Sequence, residues 1–190
     1  MNILVKISTG LCLLVLSSSL CVAQEKVEIS TNPPAPMPQL PVIREVGKAK
    51  VLYNERGDKT IIQTSPIQVQ GDWRNGIRLR VGFEVSGKEI VKPSHVTLSF
   101  FSAASDRTYA DNRALKILID GKEALSGEAH YKSGNTNGEV FLITVTQEIP
   151  YEMFLRIIKS KSVKMQIGPT EFELKEGDLE ALKDLQRVIE

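Results

Sequence analysis

Sulfur and imidazole are scarce in this sequence: its 190 residues hold two cysteines and two histidines. Both cysteines, Cys12 and Cys21, sit near the N-terminus, so no disulfide is available to the domain that follows. A zinc site needs three or four His, Cys or carboxylate ligands at workable spacing, and His95 and His130 stand apart with no His-x-x-x-His or His-Glu pair. Excess charge is also missing, with 24 Lys and Arg against 23 Asp and Glu. A chain without a basic surplus cannot neutralise many phosphates, which argues against a dedicated nucleic-acid binder. The 13 glycines are scattered and form no phosphate-cradling loop, which removes nucleotide chemistry. No metal or other cofactor is expected. Long apolar runs are absent too: the densest, Leu11 to Leu16, falls far short of the about 20 residues a membrane-spanning helix requires.

What the N-terminus does have is a leader. Lys6, the apolar stretch Ile7 to Leu20 and the small residue Ala23 before Gln24 describe a signal peptide over 1–23, cleaved after Ala23. Lipid modification at Cys21 is the alternative, which the bulky Leu20 before it fits poorly. The expected location is secreted or periplasmic, with no membrane span in the mature chain. Removing the leader leaves 23 charges of each sign, so nothing steers the mature protein towards nucleic acid or acidic membranes. Residues 24–45 read as a flexible, proline-rich segment. Five of the nine prolines lie between Asn32 and Pro41, where they favour extended polyproline II.

From 46 to 190 the dominant period is two. Ile77, Leu79, Val81, Phe83 and Val85 alternate with Arg78, Arg80, Gly82, Glu84 and Ser86, the pattern of a strand with one buried and one wet face. Shorter examples are Val96-Leu98-Phe100, Phe141-Ile143-Val145 and Val163-Met165-Ile167. Arg56-Gly57-Asp58, Asn75-Gly76 and Asp120-Gly121 supply turn positions with positive φ, and Lys132 to Gly138 reads as a longer polar loop. The expectation is mainly β: an antiparallel two-sheet, jelly-roll-like β-sandwich of seven to nine strands. Two short helices are expected in its C-terminal half. One has Pro150 as its first residue and the stripe Tyr151, Phe154, Leu155, Ile158; the other is N-capped by Asp178 and buries Leu179, Leu182, Leu185, Val188 and Ile189.

The segment from Val163 to Leu174, the acidic turn and helix after it, and the motifs Tyr109-Ala110-Asp111-Asn112-Arg113 and Ile119-Asp120-Gly121 are similar to secreted bacterial β-sandwich proteins of uncharacterised function. The ending also resembles the invasion-associated locus B-like envelope proteins. The resemblance implies an exported bacterial sandwich and no catalytic residue.

Catalytic patterns are not found. Gly-x-Ser-x-Gly is absent, since Ala124 stands two residues before Ser126. Asp106, Asp111, Asn112 and Asp120 do not follow the alternate spacing of a calcium loop and read as turn formers. The basic run Arg156, Lys159, Lys161, Lys164 reads as a solvated face. Two segments suit binding. The polar loop carrying Arg107, Tyr109, Asp111, Asn112 and Arg113 offers directional hydrogen bonds, and Trp73 at a hairpin tip offers a stacking platform. The expected function is a non-enzymatic binding or accessory module of the bacterial envelope, a monomer with an envelope protein or glycan as partner. A hydrolase of wall polymer or glycans using Asp106, Asp111 or His130, and a purely structural envelope component, are the alternatives.

Overall fold

The structure, a computed structural model, describes residues 42–72, 76–104, 109, 112–136 and 140–190. The stretch 1–23, read above as a signal peptide, lies outside the described residues. The strands are β1 (Val42–Val46), β2 (Ala49–Asn54), β3 (Lys59–Thr64), β4 (Ile67–Gln70), β5 (Ile77–Ser86), β6 (His95–Ala104), β7 (Ala114–Ile119), β8 (Lys122–Glu128), β9 (His130–Thr136), β10 (Val140–Pro150), β11 (Val163–Ile167) and β12 (Thr170–Glu173). The helices are α1 (Tyr151–Lys159) and α2 (Glu176–Ile189).

Two antiparallel sheets result. The large one runs β1-β2-β3-β5-β6-β10-β9 with β4 also paired to β5, and the small one runs β12-β11-β7-β8. The chain is mainly β with two helices late in sequence, as its alternation predicts. The pairing supports a sandwich and leaves the jelly-roll path without support. Twelve strands are described where seven to nine were expected. Of the extra ones, β1 and β8 bury almost nothing, so no in-and-out alternation announces them, whereas β7 buries Leu115, Ile117 and Ile119. β1 starts at Val42, inside the stretch read as a flexible arm, and Lys132 to Thr136 pair with β10 rather than looping.

The inward residues of β5 are all buried, together with Leu98 and Phe100 of β6 and Ile143 and Val145 of β10. Leu115, Ile117, Met165 and Ile167 of the small sheet are buried as well. Phe100 meets Phe172 of β12 edge-on, ring centres 6.1 Å apart, which joins the two layers. Over the other half of the large sheet α2 packs on β2 and β3, where Ala49, Val51 and Ile62 are fully buried. α1 lies between α2 and the β6–β10 pair.

Three local expectations shift. Pro150 is the N-cap of α1 and the last residue of β10, and the helix buries Ile157 more completely than Leu155. Asp178 is the third residue of α2, not its cap: its Oδ2 accepts the Lys175 backbone N–H at 2.8 Å. In the β2–β3 turn the positive φ falls on Asp58, at 44°, rather than on Gly57. Asp120-Gly121 does behave as expected, with φ of 49° and 76° at the two centre positions of a tight β7–β8 hairpin. Gly76 serves by lacking a Cβ, because Gln68 folds its amide into that space to bridge the carbonyls of Gln70, Asp72 and Ile77.

Candidate binding site on the open face of the large sheet

Period two that sends Leu79 and Val81 inward sends Arg78, Arg80, Gly82 and Glu84 to the opposite face of β5. Register brings three strands together there. Gly82 faces Gln63 of β3 and Thr97 of β6, Glu84 faces Ile61, Arg80 faces Ser99, and Arg78 faces Phe101. The small sheet and both helices pack on the core side, so this face stays half-exposed.

Around Gly82 the face sinks. Ile61, Gln63, Arg80, Thr97 and Ser99 wall an open hollow of about 180 Å³. A Cβ on Gly82 would lie 2.6 Å from the Ile62 carbonyl oxygen and 2.8 Å from Gln63 Cβ, so the close approach of β3 needs glycine at this point. A second depression of about 520 Å³ adjoins it, sharing Phe83 and Glu84 and running past Lys92, His95 and Glu148.

Arg80 sits beside a break in the ladder. Pairing of β3 to β5 ends at Gln63 and Gly82, and β4 takes over at Ile67 and Leu79. Pro66 between them has no N–H to give, and the Val81 N–H is taken by Thr64 Oγ1 at 3.1 Å. The Arg80 guanidinium carbon lies 5.1 Å from the Phe101 ring centre, and its Nε is out of solvent without a hydrogen-bond partner. Burial first, and the neighbouring Arg78 cation second, pull its pKa below the ordinary value. An arginine stays charged regardless. Among the described residues neither Arg78 nor Arg80 pairs with a carboxylate, and Glu84 is already bound to Lys59 Nζ at 3.2 Å. A half-buried cation with no counter-ion is costly to hold and equips the hollow to accept an anion.

Those residues singled out by sequence that the structure describes lie elsewhere. Tyr109 is 7% exposed. Its hydroxyl is 3.0 Å from Thr170 Oγ1, and the residue borders a mostly apolar gap of about 10 Å³, no larger than a water. Asn112 accepts the Ala114 N–H at 3.4 Å with its own side chain, and Arg113 lies over the Tyr131 ring at 5.3 Å. Trp73, Arg107, Asp111 and Asp106 fall outside the described residues. His95 is exposed and shares a 3.1 Å contact with Ser94 Oγ, and His130 is exposed on β9. Asp120 spends its Oδ1 on the N–H groups of Lys161 and Ser162, at 3.0 and 3.1 Å. Among the described residues no group of three His, Cys, Asp or Glu is placed to hold a metal, and no helix is long and apolar enough to cross a membrane.

Sequence reasoning passed over Arg80 because it read the whole face as solvated. The available signal was two arginines at i and i+2 followed by glycine on one side of a strand. No protein-family model, curated protein or solved structure matches this chain.

Proposed function

We propose that this chain is an exported, non-enzymatic binding or accessory module of the bacterial cell envelope, like the secreted sandwich proteins its C-terminal end resembles, and that the open face of the large sheet holds its ligand. The observation that carries this reading is Arg80: a half-buried guanidinium with no acidic partner among the described residues, beside a hollow kept clear by Gly82. A rigid sheet is a precise platform for such a group, and the Phe101 ring on β6 lies beside this one, 5.1 Å from its guanidinium carbon. The leader over 1–23 delivers the protein, and the proline-rich stretch after it acts as spacer.

Residues 24–190 incubated with insoluble wall polymer and with soluble envelope glycans should bind saturably, measured by co-sedimentation and by titration. Arg80→Gln should weaken that binding. Binding that never saturates, or that the variant leaves unchanged, counts against the reading. Release of soluble fragments that stops in His130→Ala favours the hydrolase alternative.

A further inference from the structure

We propose that the hollow beside Arg80 holds one carboxylate-bearing sugar unit of an extended acidic polysaccharide, an inference that rests on the binding-module reading above. Charge comes first. The Arg80 guanidinium lacks an ion-pair partner among the described residues, so the complementary group is an anion. Arg80 is the one cationic residue lining the hollow and Glu84 lines it too, which suits a single negative charge and repels a doubly charged phosphate.

Size comes next. About 180 Å³ is less than the roughly 300–1,000 Å³ of clefts that enclose a whole small molecule, so the hollow fits one unit of something longer. The adjoining depression, sharing Phe83 and Glu84, gives the next units a path.

The remaining walls select a sugar over a peptide. Gln63, Thr97 and Ser99 carry groups that both donate and accept, and none makes a side-chain hydrogen bond to another described residue. Sugar hydroxyls need partners of that two-way kind. A peptide strand, by contrast, gains most from pairing its main chain with a sheet edge. Among the described strands the edges of the large sheet are β1, β9 and the free side of β4, whereas the hollow lies on the face of β3, β5 and β6, each of which has neighbours on both sides.

Calorimetric titration of residues 24–190 with oligogalacturonate and oligomannuronate, with their carboxyl-reduced neutral counterparts, and with oligoglutamate of equal charge tests this. One of the two uronates is expected to bind saturably, its neutral form about tenfold or more weakly, and oligoglutamate no better than the neutral form. Arg80→Gln should cost about tenfold, and Arg80→Lys should recover only part of it because the planar fork is lost. Circular dichroism melts establish that each variant folds, and Ser99→Leu, which fills the hollow from β6, serves if Arg80→Gln does not. Equal binding of the neutral sugars, or of oligoglutamate, overturns the inference. Failure of both uronates while wall polymer still sediments the protein saturably also overturns it and leaves the module reading standing. Loss of both kinds of binding removes both.

Discussion

The carboxylate of Asp184, in the last helix, accepts the backbone N–H of Lys48 at 2.8 Å, joining groups 136 residues apart in sequence. Lys48 belongs to the two-residue turn between β1 and β2, and the other carboxylate oxygen of Asp184 accepts from Arg187. Asp184 is one of few buried charged side chains in the core, at 8% exposure. Replacing it with alanine strands the Lys48 backbone donor, while Arg187 keeps its bond to Glu180. Asp184→Ala should destabilise by about 1–3 kcal/mol in urea unfolding, and Asp184→Asn, which keeps an acceptor, by clearly less.

Gly47 of the same turn has φ of 56°, and a Cβ there would lie 2.1 Å from Asp184 Oδ2. Gly47→Ala therefore meets both a left-handed backbone penalty, about 1–2 kcal/mol, and a displaced carboxylate. In the Asp184→Ala background only the backbone penalty remains. A double-mutant cycle should show the two changes costing less together than their sum, and strict additivity would place the carboxylate elsewhere in solution.

Arg187 and then Lys183 hydrogen-bond Glu180, holding its carboxyl below the ordinary 4.5. A carboxyl with a lower pKa folded than unfolded contributes stability above its unfolded value, and loses it as pH falls through the folded value. Glu180→Gln should flatten the acid limb of the stability profile. The effect is small because Glu180 is on the surface, where salt screens it. Urea midpoints followed from neutrality down through the carboxylate range, at low and high salt, check both the sign and the screening.

Asp120 shapes one turn and anchors another. It takes a positive φ in the β7–β8 hairpin while its Oδ1 holds the Lys161 and Ser162 N–H groups leading into β11. Asp120→Ala loses the acceptor and disfavours the backbone, and should lower stability by about 1–3 kcal/mol. Asp120→Asn keeps an acceptor and tolerates the conformation, so its thermal midpoint should lie closer to the parent.

Sequence makes strands legible where one face is oily and the other wet. β5 is read correctly residue by residue because its alternation is complete. β1, β8 and β9 escape because strands that bury little leave no periodic trace, and only their hydrogen-bonding neighbours define them. Helix faces are legible to within a residue: Leu155 was expected inside, yet Ile157 is buried more completely, since α1 faces α2 as well as the sheet. Turn residues are recognisable as turns, but which one takes the positive φ depends on strand register, as Asp58 beside Gly57 shows.

The candidate site was legible least of all. Arg80 reads as an ordinary wet-face cation until β3, β4 and β6 are placed beside it, and those placements come from the pairing register, which the alternation of β5 alone does not carry. Tyr109 reads as a recognition residue because its sequence neighbours are polar. The structure shows it buried at 7% exposure, with its hydroxyl 3.0 Å from Thr170 Oγ1.

Because α2 covers β2 and β3, the order of synthesis leaves a gap to be managed. Ala49, Val51 and Ile62 leave the ribosome long before residues 176–189, which cover them, have been made. For most of translation that oily strip lacks the cover that α2 gives it. Products stalled before the final helix would be fodder for proteases or would clump.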